Sequence, residues 1–417
     1  MNNEEIRKDA VERFLRYAAI ETRSREGVDV IPSTPCQWDL AKLLEKELRE
    51  LGLSNVRLDE RCYVYGTLPA KGPSKAPPIG LIAHMDVSPA VSGGTVKPIL
   101  HANYQSGDLA LPGDPSLVIR AAKNPRLAES IGSDIITADG TTNLGADDKA
   151  GVAIIMASVA WLMKHPEVPR GEVMVAFTPD EEVGHGADGF DVKGFGAKYA
   201  YTFDGEQEGE LNDETFNAAG GLVSFKGVSA HPGFAKGLMV NSMYAAAHFI
   251  EGFPANQRAE TTEKREGYLH PYELKGCEEL CTLKVLIRDF DEDGLNRRKQ
   301  MLEDQVARTR TAFPNVGVEV KITDSYRNMN TVLRKMPFLV EYAEEAMRRS
   351  DVKPMKRPIR GGTDGARLTF MGLPTANIFC GAENCHSREE WVSARVLERG
   401  AATLINLLGV WHERGEK

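Results

Sequence analysis

Short apolar runs alternate with amphipathic segments through roughly the first half of the chain. The runs in "PIGLIAHMDVS", "GEVMVAF" and "AKYAYTFDGE" have the length and continuity of buried strands. Three other segments repeat their apolar residues every three or four positions, which is typical of helices. The first begins at Met1, the second is "PCQWDLAKLLEKELRELGL" and ends at Gly52, and the third is long and begins near Asp147. Strands that alternate with helices predict a mixed, mainly parallel α/β sheet.

The stretch from Ser88 to Ser133 interrupts this alternation. It is rich in Gly, Pro and Asp, and its apolar residues show little periodicity. We therefore expect it to form an excursion over the surface.

The order of elements changes near Asn217. From there to residue 330 the pattern predicts strand, helix, two strands, helix and strand, which is the order of a ferredoxin-like α+β domain. After residue 330 the apolar strand "PTANIFC" and a final helix return to the first pattern. The sequence thus predicts a discontinuous α/β domain, residues 1–216 and 331–417, interrupted by an inserted α+β domain, residues 217–330.

Composition narrows the class of protein. The 417 residues are 42% hydrophobic and 27% charged, which is ordinary for a globular protein. A net charge of -9 argues against nucleic acid or an anionic membrane as a partner. The first residues lack the apolar stretch of a signal peptide, and no segment has the length and apolarity of a membrane span, so we expect a cytoplasmic protein. The six cysteines include no CxxC pair, which argues against a structural zinc knuckle.

Metal-binding side chains follow several of the predicted strands. In open α/β sheets, ligands bind outside the carboxyl ends of the strands. At four strand ends and at the start of the long helix stand the candidate residues His84 and Asp86, Glu181 and Glu182, Asp204, His386, and Asp147 with Asp148. Each motif alone has an ordinary explanation, such as a helix N-cap for the Asp pair or a solvated turn for the acids.

Taken together, these groups are too many for one tetrahedral zinc ion. Two histidines with several carboxylates suit a pair of metal ions about 3.5–4 Å apart that share a bridging carboxylate. Divalent cations would also offset the repulsion among the adjacent acids of "TPDEEVG". The sequence therefore predicts a dinuclear metal site with one carboxylate nearby as a base.

The motifs "HMD", "GADDKAG", "TPDEEVG", "TFDGE", "SAHPG", "RGGTDG" and "NCHSREEWV" together resemble those of the M20 family of zinc peptidases. The resemblance runs from "RFLRYAAIETRS" to the final helix, which is nearly the whole chain. It implies two Zn²⁺ per subunit, with Co²⁺ or Mn²⁺ as substitutes, and a cis peptide bond between Asp147 and Asp148.

The resemblance also implies a role for each residue of the centre. His84 and Asp204 would hold one zinc, Glu182 and His386 the other, and Asp147 would bridge them. Glu181 would act as general base and acid, and Asp86 would orient the His84 ring. His185, close behind the acids, is an extra candidate ligand, but it follows the base and the second ligand too closely in the chain.

The inserted domain would act as a lid in such an enzyme. The resemblance implies that His231 helps to polarise the scissile carbonyl and that Arg288 binds the substrate's terminal carboxylate. The "RGGTDG" segment, with Arg360, Gly362 and Thr363, would line the substrate cleft. A turn histidine and a surface arginine are the ordinary alternatives for the first two.

The function implied is removal of the N-terminal residue from short peptides, above all tripeptides, by a metal-activated water. Other M20 activities stay open at this point: dipeptidase, carboxypeptidase or amide deacylase. A peptide-binding protein without catalysis is the alternative from another class, but such a protein would be expected to lack a ligand or the base. A homodimer also stays open.

Overall fold

The computed structural model describes residues 3–91 and 94–416. Met1, Asn2 and Lys417, which fall in the predicted first helix and at the ends of the predicted larger domain, lie outside the described residues, as do residues 92 and 93 of the predicted excursion. The helices are α1 (Asn3–Ala18), α2 (Gln37–Glu50), α3 (Pro125–Glu129), α4 (Ala146–Lys164), α5 (Val192–Phe195), α6 (Ser242–Glu251), α7 (Glu292–Ala312), α8 (Asn330–Leu333), α9 (Phe338–Arg349), α10 (Asp364–Phe370) and α11 (Ala394–Arg414). The strands are β1 (Ser54–Leu58), β2 (Val64–Leu68), β3 (Ile79–His84), β4 (Ile99–His101), β5 (Leu109–Ala110), β6 (Val118–Ile119), β7 (Ile135–Thr137), β8 (Val173–Thr178), β9 (Tyr199–Gly205), β10 (Glu210–Asn212), β11 (Asn217–Lys226), β12 (Tyr268–Gly276), β13 (Leu280–Asp289), β14 (Gly317–Tyr326), β15 (Met355–Lys356), β16 (Thr375–Phe379) and β17 (Trp391–Ser393).

An eight-stranded mixed sheet has the order β1-β2-β8-β3-β9-β16-β10-β15. The pairs from β8 through β3 and β9 to β16 are parallel, so these four strands end at the same edge. Their residues are almost entirely buried, as expected for the central strands of a sheet covered on both faces. The predicted mixed, mainly parallel sheet is confirmed.

Helix α4 crosses this sheet and contacts β3 and β9, and it also packs against α1 and α11. Nearly every position from Ala146 to Leu162 is buried, because the helix has neighbours on all sides. Its amino end therefore lies in the interior near the ends of β3 and β9.

A second, four-stranded sheet is antiparallel and has the order β12-β13-β11-β14. Helices α6 and α7 pack on it, and their apolar side chains join those of the strands in one core. The predicted β-α-β-β-α-β order is present. By their internal contacts the residues form two units, Met1–Asp213 with Thr331–Arg357 and Thr363–Lys417, and Glu214–Asn330 with Pro358–Gly362.

The stretch predicted as a surface excursion is more ordered than expected. It contains β4–β6 and α3, and it leads into β7 of a three-stranded sheet with β4 and β17. Tyr104, Leu111 and Leu127 pack with Trp391 in a small core of their own. Sequence periodicity missed this core because its apolar residues are widely spaced and one wall comes from a distant part of the chain.

Among the described residues, none of the helices combines the length and the apolarity needed to cross a bilayer.

Candidate metal centre

The edge at which β3, β8 and β9 end carries the predicted ligands. His84 is the last residue of β3, and Asp204 lies next to the end of β9. Glu181 and Glu182 form a short 3₁₀ turn after β8. Helix α4 brings Asp147 to the same place, because its first turn begins at Ala146.

The first donor set consists of His84, Asp147 and Asp204. His84 Nε2 lies 3.0 Å from Asp147 Oδ1 and 3.5 Å from Asp204 Oδ1. The His84 side chain is buried, so its imidazole has a fixed place in the interior.

The second donor set consists of Asp147, Glu182 and His386. His386 Nε2 lies 3.2 Å from Asp147 Oδ2 and 2.8 Å from Glu182 Oε2. Asp147 thus presents Oδ1 to the first set and Oδ2 to the second. This is the geometry that a bridging carboxylate between two metal ions requires.

The charges of these groups fit divalent cations. Burial, and then the charge of Asp147, raise the pKa of Glu182 to about 8. Burial also raises the pKa of Asp204 to about 6, although its hydrogen bond with His84 acts in the opposite direction. Glu182 Oε1 is buried and has no hydrogen-bond partner among the described residues. Cations at this place would stabilise the ionised acids and give that orphaned oxygen a partner, and imidazole with carboxylate is a donor set used by zinc.

The two histidines are held by the acids around them. Hydrogen bonds with Asp147 and then Glu182 raise the pKa of His386 to about 11. Burial favours neutral His84, but its hydrogen bonds with Asp147 and Asp204 outweigh burial and raise the pKa well above the usual range. Burial acts to raise the pKa of Asp147 as well, and the hydrogen bonds from both histidines lower it instead. A metal ion would replace these shared protons.

Asp86, which is predicted to orient the His84 ring, contacts both His84 and the turn after β8. His84 Nδ1 lies 3.1 Å from the Asp86 backbone oxygen and 3.3 Å from Asp86 Oδ1. The Asp86 carboxylate accepts hydrogen bonds from the backbone N–H groups of Glu181 (2.9 Å) and Glu182 (3.2 Å). One fully buried carboxylate therefore holds both a candidate ligand and the turn that carries the candidate base.

Glu181 sits within this cluster without a side-chain partner among the described residues. Burial, and then the charge of Asp204, raise its pKa well above the usual range for a glutamate. A carboxylate that is close to several others, yet engaged by none of them, is suited to accept and return a proton.

The peptide bond between Asp147 and Asp148 is cis, as expected from the resemblance. Asp148 itself belongs to neither donor set. Its carboxylate accepts from the backbone N–H groups of His84 and Gly151, both at 3.2 Å.

Several buried acids that support the centre were not identified from the sequence. Asp180, in a left-handed conformation (φ 57°), accepts from the backbone N–H and the hydroxyl of Ser33 and from Gln37 Nε2, each at 2.6 Å. Glu390 accepts from the backbone N–H groups of Gly145 and Asp147. Asp180 stands in "TPDEEVG" and Glu390 in "NCHSREEWV", but neither motif indicates the distant partners of these acids.

His185 takes no part in either donor set. It is half exposed, and its Nδ1 lies 2.6 Å from Asp188 Oδ2.

Two predicted residues of the smaller unit have defined surroundings there. His231 Nδ1 accepts a hydrogen bond from the Gly233 backbone N–H at 3.2 Å, so in the neutral ring the proton is on Nε2. Arg288 Nη1 donates to the backbone oxygens of Ala219 and Ile287, at 3.1 and 3.0 Å. The Arg288 guanidinium also lies over the ring of Tyr326, 5.5 Å from its centre, which restricts its orientation.

The predicted residues of the "RGGTDG" segment have different surroundings. The Arg360 guanidinium donates to the backbone oxygens of Lys264 and Glu266, both at 2.8 Å, and to Thr262, and it lies 5.2 Å from the Phe216 ring centre. These contacts occupy both Nη atoms of Arg360 within the smaller unit, and its role in lining the substrate cleft stays a prediction.

Its two predicted neighbours differ from Arg360. A Cβ added to Gly362 would lie only 2.7 Å from the Tyr326 ring, so this glycine allows a close approach. Thr363, in the larger unit, is buried, and its hydroxyl has no hydrogen-bond partner among the described residues. The roles of Gly362 and Thr363 in lining the substrate cleft stay predictions.

Comparisons of the sequence and the structure with known proteins show which family this chain belongs to. The sequence profile of peptidase family M20/M25/M40 matches residues 145–409. A protein named Peptidase T from Desulfitobacterium hafniense is 47% identical over 403 residues, which is 97% of this chain and 98% of the relative.

Two solved structures share the fold. Aminopeptidase PepT from Bacillus cereus matches with a TM-score of 0.74 at 21% identity and covers 97% of this chain and 98% of its own. A tripeptidase from Staphylococcus aureus matches with a TM-score of 0.77 at 20% identity, with 98% and 99% covered. The family profile and the close full-length relative show that this chain belongs to peptidase family M20/M25/M40 and, within it, to the peptidase T group.

Proposed function

We propose that the protein is a metallo-aminopeptidase that removes the N-terminal residue from tripeptides, with two zinc ions. The observation that carries the proposal is the pair of donor sets that share Asp147 through its two different oxygens. Membership of the peptidase T group supports the reaction, and the aminopeptidase and tripeptidase among the solved structures support the substrate class. Zinc as the ion and the cytoplasm as the compartment belong to the same proposal.

His84, Asp147 and Asp204 would hold one ion, and Asp147, Glu182 and His386 the other. Bound there, divalent cations polarise a carbonyl and lower the pKa of water towards neutrality. Asp86 keeps His84 in place and, through two backbone hydrogen bonds, keeps Glu181 and Glu182 beside it.

Glu181 performs the proton transfers. It takes one proton from the attacking water as the water oxygen bonds to the scissile carbonyl carbon. It then gives that proton to the leaving nitrogen as the C–N bond breaks. Burial raises the pKa of Glu181 above the usual range of a glutamate, which favours uptake of the proton from water.

His231 and Arg288 act on the substrate from the smaller unit in this proposal. The Gly233 N–H group leaves His231 Nε2 as a hydrogen-bond donor, which is what stabilisation of the carbonyl oxygen needs. Arg288 uses Nη1 within its own unit. Its remaining N–H groups suit the planar carboxylate at the end of a peptide.

A comparison of substrates tests the proposal. The metal-loaded protein should release the first residue of an unblocked tripeptide, and it should act far more slowly on the N-acetylated tripeptide and on the matching dipeptide. Chelation should stop hydrolysis, and added Zn²⁺ should restore it. Preference for the blocked peptide would instead indicate an amide deacylase or carboxypeptidase, and preference for the dipeptide would indicate a dipeptidase. Peptide binding without hydrolysis would reject an enzymatic function.

Replacing Arg288 with glutamine should weaken the use of peptides with a free terminal carboxylate. Hydrogen bonds to charged groups contribute about 1.5–3 kcal/mol, so kcat/KM should fall about 10- to 100-fold. The C-terminal amide of the same tripeptide is the control, because it lacks the charge and should lose little. Equal losses for the acid and the amide would show that Arg288 does not bind the carboxylate.

A further inference from the structure

Glu390 is a fully buried acid that lies outside both donor sets but touches the backbone of the residue they share. Its side chain is 1% exposed. Oε2 accepts from the backbone N–H of Gly145 at 2.8 Å, and Oε1 accepts from the backbone N–H of Asp147 at 3.0 Å. One carboxylate thus accepts from the residue before α4 and from the second residue of the helix.

The backbone between these contacts is irregular. Gly145 has a left-handed conformation (φ 76°), and Asp147 has non-helical angles (φ -82°, ψ 104°). The first N–H groups of a helix have no acceptor within the helix. Glu390 supplies acceptors for two of them, and one of the two is the N–H group of Asp147.

The loop that carries Glu390 also carries His386. It is closed by backbone hydrogen bonds between Glu383 and Trp391 in both directions, at 2.9 and 3.0 Å. Within it the Asn384 side chain donates to the Glu389 backbone oxygen at 3.0 Å. The same short loop therefore presents the imidazole of the second donor set and holds the backbone of the bridging residue.

The charge of Glu390 has a counterpart in the interior. Lys149, one turn into α4, is fully buried and attracts Glu390, and its Nζ donates to the Ile20 backbone oxygen at 2.6 Å. A buried carboxylate is costly unless hydrogen bonds and opposite charge compensate for it. Glu390 has two such hydrogen bonds and attracts Lys149, yet burial still raises the pKa of Glu390 to about 7.

We infer that Glu390 is a positioning residue for the whole metal centre: it holds the Asp147 backbone so that each carboxylate oxygen faces one donor set. The inference rests on the proposed metal site, but not on the choice of substrate. Because Asp147 belongs to both sets, loss of Glu390 should weaken the binding of both ions together.

The test is calorimetric titration of the metal-free protein with Zn²⁺. Glu390→Gln keeps the volume but offers one acceptor in place of two, and Glu390→Asp keeps the charge but is one methylene shorter. Both variants should bind both ions more weakly, by about 10- to 100-fold, as is typical when a group behind a metal ligand is changed. Glu389→Gln is the matched control, since the Glu389 carboxylate has no contact in the described structure that bears on Asp147, and it should bind as the wild type does.

The visible absorption of the Co²⁺-loaded protein gives a second readout, because it reports the geometry around the ion. Wild-type affinity and an unchanged spectrum in Glu390→Gln would overturn the inference. Full affinity in Glu390→Asp would overturn it too, since charge alone would then be enough. If Glu390→Gln fails to fold, as judged by thermal unfolding, Glu390→Asp decides the matter by the same criteria.

The result is separable from the proposed function. A wild-type protein that binds two ions but leaves tripeptides intact would reject the peptidase activity and leave the role of Glu390 standing. A Glu390 variant that cleaves tripeptides and binds metal as the wild type does would reject the role of Glu390 and leave the peptidase activity standing.

Discussion

Replacing Asp147 with asparagine is expected to remove both metal ions together and to abolish hydrolysis. Its Oδ1 faces His84, and its Oδ2 faces His386, so the same side chain serves both donor sets. Asparagine is uncharged and offers only one carbonyl oxygen, so it cannot bridge two cations. The loss of affinity should exceed the roughly 10- to 100-fold typical of residues that merely support a ligand. The expectation is checked by measuring the number of metal ions per chain after dialysis, together with the hydrolytic activity of the same sample.

His386→Gln is the matched comparison for that variant. His386 belongs only to the second set, so this change should release one ion and leave the set of His84 and Asp204 able to bind the other. An Asp147→Asn protein that still binds one ion with wild-type affinity would show that Asp147 does not bridge the two sets.

Replacing Glu181 with glutamine should reduce turnover about 10²- to 10⁴-fold while both ions stay bound. Glutamine has a similar shape but cannot take up a proton at neutral pH. The Asp86 hydrogen bond goes to the backbone of residue 181, so the turn should keep its shape in the variant. Turnover of a tripeptide and metal per chain should be measured on the same sample.

His185→Gln is the control for the Glu181 variant. His185 follows this turn in the chain, pairs with Asp188 and belongs to neither donor set. Its replacement should leave turnover and metal content unchanged. Near wild-type turnover by metal-loaded Glu181→Gln would mean that another group is the base.

The convergence of the donor residues was predictable because it follows from the topology. Parallel strands end at one edge of a sheet, so His84 and Asp204, which stand at the ends of β3 and β9, had to approach one another. A long apolar helix between them brought Asp147 to the same edge. Regular periodicity identified these elements, and the imidazole and carboxylate side chains at their ends indicated a metal site.

The support of the centre was not predictable in the same way. Glu390 accepts from Asp147, 243 positions earlier, and Asp180 accepts from Ser33, 147 positions earlier. No local pattern reports an acceptor for a distant backbone N–H. The small core around Trp391 escaped prediction for the same reason, since its members come from separate parts of the chain.

The contacts of Arg360 were not predictable from its motif. The motif "RGGTDG" predicts a substrate cleft, and this stays a prediction, but it gave no sign that the guanidinium donates to the backbone at Lys264 and Glu266. A motif identifies the residue but not the partner that its side chain selects. Arg288, by contrast, keeps N–H groups beyond the Nη1 atom that donates to the backbone.

The number of divalent ions that one chain binds, and the side chains that hold them, tests the account most directly. Metal-free wild-type protein should be titrated with Zn²⁺, and anomalous diffraction at the zinc edge should then locate the ions in crystals of the saturated protein. The account predicts two zinc ions, one against His84 and Asp204 and one against Glu182 and His386, with Asp147 between them. Saturation with a single ion, or ions bound away from Asp147, would contradict it.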